Sequence, residues 1–111
     1  MPVSLDNRKI FVVAYCIDND TEQSAQARET HMEAHLAYVA GLVDHLLIAG
    51  PMFAEDGKTV IGSVLIYKTD DVATAKAWLG NDPYYAAGIW KSTSFHPFRG
   101  AIGDAVGGVS W

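Results

Sequence analysis

The chain carries four histidines, His31, His35, His45 and His96. An imidazole titrates near neutrality, so a histidine at the rim of an apolar crevice is the first candidate for moving a proton. His35 has that position. On a helical wheel with Met32 at 0°, Leu36, Val39 and Val43 fall within about 40°, Arg28 at about −40° and His35 at about −60°. Arg28 and His35 therefore share one shoulder of an apolar arc, where a helix meets the layer beneath it. His31 falls farther round, at about −100°, and His45 lies close to the solvent side. Spacing alone leaves a plainer use open, because an edge histidine more often caps a helix or bonds to backbone.

A carboxylate beside one ring nitrogen fixes the tautomer and raises the basicity of the other. Asp82 is the candidate. It precedes Pro83, so it suits an N-cap equally well, and one residue can serve both purposes. Ser63 follows Gly62, where a missing side chain permits close approach. No Gly-x-Ser-x-Gly elbow surrounds it, so a hydrogen-bonding role suits it better than nucleophilic attack. Tyr84, Tyr85 and Trp90 supply wall and core. His31 and His35 are spaced to share one helix face, but Glu33 between them fits neither zincin pattern, and a third ligand would have to come from His96 or Asp82. No phosphate-cradling glycine loop or dinucleotide fingerprint occurs. No metal and no organic cofactor are expected. Cys16, in the middle of an apolar run, is expected to be buried and inert.

The elements that must position these groups follow from pattern. Ile10–Ile17 is a continuous β-prone run, ended by the turn residues Asp18, Asn19 and Asp20. A long amphipathic helix starts near Thr21–Ser24, capped by Thr21 or Ser24, and runs to about Asp44. Leu46–Ala49 reads as a second strand that stops at Gly50-Pro51. Glu55–Lys58 forms a hairpin loop and Thr59–Lys68 a third strand. Asp70 or Asp71 caps a second helix over Val72–Leu79. A turn or one-turn helix follows from Asp82 to Gly88, then a fourth strand over Ile89–Phe98. The order βαββαβ is the ferredoxin-like α+β arrangement. The chain divides into a polar leader (1–9), this domain (10–98) and a glycine-rich tail (99–111).

Two helices cover only one face of a four-stranded sheet. In the third strand Val60, Val64 and Ile66 share one face and Ile61, Leu65 and Tyr67 the other, so both faces are apolar. A bare apolar sheet marks a partner. The expected partner is a second copy, sheet against sheet, giving a homodimer or larger assembly.

The bulk properties limit the function classes. A chain of 111 residues, half of them hydrophobic, is one globular domain. Eight basic against thirteen acidic residues give a net charge of −5. That balance argues against nucleic acid or an anionic membrane surface as partner. No apolar run reaches the roughly 20 residues that span a bilayer. There is no basic-then-apolar start of a secretory signal, and one cysteine cannot staple a fold, so a reducing cytoplasm is the expected location.

Arg28 with His35-Leu36, then Ala49-Gly50-Pro51, Gly62-Ser63, Asp82-Pro83-Tyr84 and Ala87-Gly88 occur in an order that resembles the YciI-like (YCII-related) family over about Ile10–Phe98. The resemblance implies a ferredoxin-like protomer in a dimeric α/β barrel, related in fold to muconolactone isomerase. It also implies an active site built on a histidine and an aspartate, which carry over to His35 and Asp82, with Arg28 and Ser63 as pocket residues; Tyr84, as wall, is expected to join them in binding substrate. One branch of the family includes a dehydrochlorinase acting on a chlorinated hydroxyhydroquinone without metal or organic cofactor. The polar leader and glycine-rich tail depart from the pattern, and the tail is expected to cover the pocket or extend the dimer contact. The resulting expectation is a small cofactor-independent enzyme. His35, held by Asp82, would exchange a proton with a small cyclic or phenolic substrate in isomerisation, lactone chemistry or dehydrohalogenation. The rival expectations are a non-catalytic module that binds a small metabolite, and a dimerisation scaffold.

Overall fold

A computed structural model of the protein describes residues 9–110; the leader, apart from Lys9, lies outside the described residues. The elements are β1 (Ile10–Asp18), α1 (Thr21–Ala40), β2 (Leu46–Phe53), β3 (Val60–Tyr67), α2 (Val72–Gly80), α3 (Pro83–Ala86), β4 (Trp90–Arg99), and a small hairpin of β5 (Ile102–Gly103) and β6 (Gly108–Val109). The main sheet has the order β2-β3-β1-β4, and each neighbouring pair is antiparallel. This is the ferredoxin-like α+β fold that the element order predicts.

β1 lies between two partners, and its alternation sets the layers. Val12, Ala14 and Cys16 point to the inner face and are fully buried. They pack with Leu65 and Tyr67 of β3 and with Ala75 and Leu79 of α2. Burying one such aliphatic side chain contributes about 1.5–3 kcal/mol, so this small cluster carries much of the fold. The same period of two continues to Asp18 and turns its carboxylate inward, where it is only 6% exposed. Asp18 is thus the last residue of β1 and not part of the turn expected after Ile17. Ser63 stands opposite Cys16 in the β1–β3 register and faces the same way. The other face carries Val13, Tyr15 and Ile17, and Tyr15 and Ile48 are 46% and 65% exposed.

The first helix departs most from its expected form. Its N-cap is Asp20, which accepts from the Glu22 and Gln23 amides. Ser24, one turn in, is buried and donates its hydroxyl to the Ile89 carbonyl. The helix stops at Ala40, with Gly41 as its cap, and Val43–His45 tightens into a separate 3-10 turn that aims the chain into β2. More important is its rotation. Met32, Leu36 and Val43, the expected buried arc, are 48%, 54% and 67% exposed. The inner edge carries Ser24, Arg28, His35 and Tyr38, which centre on about −80° of the same wheel. The helix turns its polar shoulder inward because the sheet end offers Asp18 and Ser63, and the start of α3 offers Asp82, as partners.

β2 does not stop at Gly50-Pro51. It continues to Phe53, with Gly50 opposite Val64 and Pro51 opposite Ser63. β2 is an edge strand, and an edge has a row of amides without partners in which proline is tolerated. The hairpin to β3 turns at Gly57, whose φ is +70°. Asp71 caps α2, accepting from the Ala73 amide. The tail packs at the Phe11 end of the sheet: Gly100 brings Phe11 and Val106 together, and the Ser110 hydroxyl donates to the Gly100 and Ala101 carbonyls. Ile10 pairs with Arg99, and Asp18 at the other end pairs with Trp90, so the tail lies away from the Asp18 end of its own chain.

Candidate active site

Asp82 ends the loop after α2 and caps α3. Its Oδ1 accepts the Tyr84 amide at 2.9 Å, and Pro83 stands at the first helical position, where no amide is needed. The same carboxylate also reaches across to α1. His35 Nδ1 lies 2.9 Å from each Asp82 oxygen. The Asp82 side chain is 1% exposed and the His35 side chain 19%. Asp82 thus both caps α3 and contacts His35. With Nδ1 turned to the buried carboxylate, the other ring nitrogen, Nε2, has no hydrogen-bond partner among the described residues.

The ring is further fixed by Tyr84, which stacks on it at 3.8 Å between centroids with planes 5° apart. The Tyr84 hydroxyl donates to the Arg28 carbonyl at 3.2 Å, tying α3 to α1. Trp90 meets Tyr84 edge to face, at 6.1 Å and 74°. The Arg28 guanidinium carbon lies 5.4 Å from the Tyr84 centroid; burial raises the Tyr84 phenol against the lowering effect of that cation, so it stays a neutral donor.

Arg28 makes a fork with Asp18: Nε to Oδ2 at 3.0 Å and Nη2 to Oδ1 at 2.9 Å. Nη2 also donates to Ser63 Oγ at 3.0 Å and to the Gly62 carbonyl at 3.3 Å. Asp18 is the residue of this cluster that the sequence pattern assigned to a turn. The period of two through Val12, Ala14 and Cys16 was the signal that places it inward.

These groups surround one cavity of about 290 Å³ between α1 and the β2–β3 edge. Arg28, His35, Ser63, Tyr84 and Trp90 line it together with the apolar Met32, Leu36 and Val39 of α1, the Ala49-Gly50-Pro51 stretch and Leu65. All five predicted site residues, His35, Asp82, Arg28, Ser63 and Tyr84, are joined through the contacts above. His31, His45 and His96 do not line the cavity. Among the described residues no group of three or more His, Cys, Asp or Glu gathers as a metal centre requires. Cys16 is buried beneath the site, and burial, with Asp18 nearby, pushes its thiol up to about 12. The arrangement offers a base, a polar hydroxyl and a cation against apolar walls, a set suited to taking a proton from a small molecule while holding one of its oxygens.

The sequence profile of the YCII-related domain matches residues 10–99. The chain belongs to the YCII-related family. It is 37% identical over 87 residues to Protein YciI of Escherichia coli O6:H1, an alignment covering 72% of this chain and 89% of that protein. The same figures hold for Protein YciI of Shigella flexneri. An uncharacterized protein of Haemophilus influenzae is 31% identical over 93 residues, covering 79% of this chain and 93% of its own. Among solved structures, 5-chloro-2-hydroxyhydroquinone dehydrochlorinase from Burkholderia phenoliruptrix AC1100, in complex with 2,5-dihydroxybenzoquinone, superposes with a TM-score of 0.70 at 26% identity, covering 85% of this chain and 96% of that one. The family and fold expected from the ordered motifs are therefore the ones found. No helix among the described residues is long and apolar enough to cross a membrane.

Proposed function

We propose that the protein is a small cofactor-independent enzyme that shuttles a proton on a small cyclic or phenolic substrate, with His35 as the acid–base group and Asp82 as its orienting partner. The observation that carries this reading is the His35–Asp82 contact at 2.9 Å on the rim of the cavity, with Nε2 left over for a substrate. Ser63 and Arg28 hold a substrate oxygen, and Tyr84 walls the ring. The likeness to a dehydrochlorinase with a hydroxyquinone bound supports a hydroxylated ring as substrate and elimination of halide as the reaction, with isomerisation and lactone chemistry as relatives of the same proton transfer. In an elimination, His35 Nε2 takes the proton, the electron pair forms the new double bond, and chloride leaves. We place the reaction in a reducing cytoplasm, where Cys16 remains a thiol.

The test is chloride release from chlorinated hydroquinones and hydroxyhydroquinones, run alongside an assay of small lactones for isomerisation. Wild type should turn over at least one of them, and His35→Ala should lower the rate by roughly 10²–10⁴-fold while the fold persists. A variant that keeps its rate removes His35 from the mechanism. A ligand that raises the melting temperature and is recovered unchanged assigns the cavity to binding alone.

A further inference from the structure

We propose that Asp18 is a positioning residue for the oxygen-binding end of the cavity: it pins Arg28 so that the Ser63 hydroxyl proton is presented to a carbonyl or hydroxyl oxygen on a ligand ring. The inference rests on the reading of this cavity as a small-ligand site.

Both Asp18 oxygens accept from Arg28, at 3.0 and 2.9 Å, and the two side chains are 3% and 13% exposed. A two-point fork fixes the plane of a guanidinium as well as its position. That plane carries Nη2 to Ser63 Oγ at 3.0 Å. A hydroxyl has one proton to give and two lone pairs to offer. Ser63 Oγ spends a lone pair on Arg28, and its proton has no acceptor among the described residues. Ser63 lines the cavity, so the remaining proton is available to a ligand there. Accepting from a cation also polarises the O–H bond and makes it a stronger donor. Arg28 has a long side chain whose freedom is costly to restrain. Without Asp18, the remaining partners, Ser63 Oγ and the Gly62 carbonyl, hold the guanidinium through the single nitrogen Nη2. The cavity then has two ends, each set by a buried carboxylate: Asp82 orients the base, and Asp18 orients the donor.

The experiment measures binding of 2,5-dihydroxybenzoquinone and of toluene, an oxygen-free ring, to wild type, Asp18→Asn, Ser63→Ala and the double variant. Each single substitution should weaken the quinone by roughly tenfold, the double should be no weaker than either single, and toluene should be unchanged. Losses that multiply in the double variant would overturn the proposal, as would an Asp18→Asn effect equal for both rings. If Asp18→Asn does not fold, Ser63→Ala decides: quinone affinity unchanged from wild type overturns the inference, and a loss confined to the quinone upholds it. A wild type that binds neither ring overturns the small-ligand reading itself and this inference with it.

Discussion

One oxygen of Asp82 accepts from both the Tyr84 amide and His35 Nδ1, and the two roles separate by substitution. Asparagine caps a helix about as well as aspartate, but its neutral amide gives the imidazole no negative partner. Asp82→Asn should hold the melting temperature within a degree or two and lower turnover as His35→Ala does. Asp82→Ala should lose the cap as well, about 1 kcal/mol, or roughly 4 °C for a domain of this size. Thermal melts beside rate measurements distinguish them. Cys16 makes a second prediction. Its thiol sits at about 12 in the folded protein against its ordinary 9.0. The folded state thus disfavours the thiolate, and this contribution to stability is complete below pH 9 and is lost as pH rises towards 12. At pH 8 iodoacetamide should leave Cys16 unmodified in native protein and alkylate it in urea. At this scale the sequence named His35, Asp82, Arg28, Ser63 and Tyr84, because residue type and motif order are local. Asp18 was misread because its type suits a turn, and only its partner Arg28, brought across from α1, makes an inward carboxylate stable.

Among the elements, β3 approaches β1 closely at the site. A Cβ on Gly62 would overlap the Cys16 carbonyl oxygen and lie 2.7 Å from the Met52 methyl. Gly62→Ala should therefore push the strands apart, cost about 1–3 kcal/mol in denaturant unfolding and loosen the Ser63–Arg28 contact. The β2–β3 hairpin is held by Asp56, which accepts from the Lys58 and Thr59 amides and the Thr59 hydroxyl. The Thr59 hydroxyl, then the two amides, pull its carboxyl down from 3.8 to about 2. A depressed carboxyl stabilises the fold above its unfolded value, so the hairpin's contribution is complete above pH 4 and fades as pH falls towards 2. Carboxyl NMR should place the Asp56 midpoint near 2, and Thr59→Ala should raise it. The strands and α2 were legible in the sequence because β-prone runs, turn residues and helix caps are local signals, even though β1 pairs with the distant β3 and β4. The rotation of α1 was not, since its apolar arc and its polar shoulder compete for the interior, and the winner depends on what the sheet end presents.

For the whole molecule, the sheet face away from the helices is the open question of area. Val13, Tyr15, Ile17, Val64, Ile66 and Ile48 form an apolar surface, partly exposed in the single chain. We propose that a second copy covers it, sheet against sheet, as the apolar pattern of β3 predicts. Light scattering at micromolar concentration should give twice the mass of one chain, and Tyr15→Lys with Ile48→Lys should return it to one, because two charges in a dry contact lack partners. A monomeric wild type would remove the dimer. The glycine-rich tail bears on the same question: it packs beside Phe11 and leaves Ile102 and Val109 68% and 55% exposed.

By itself the sequence determined the order of elements and the family, and named a histidine and an aspartate as candidates, because hydrophobic period, turn chemistry and motif order are properties of neighbours along the chain. Only the tertiary structure decided that α1 turns Arg28 and His35 inward, that β2 runs through Pro51 as an edge, and that Asp18 faces Ser63 through a guanidinium. Those outcomes depend on which polar groups meet across elements, where a buried charge is stable only beside its partner.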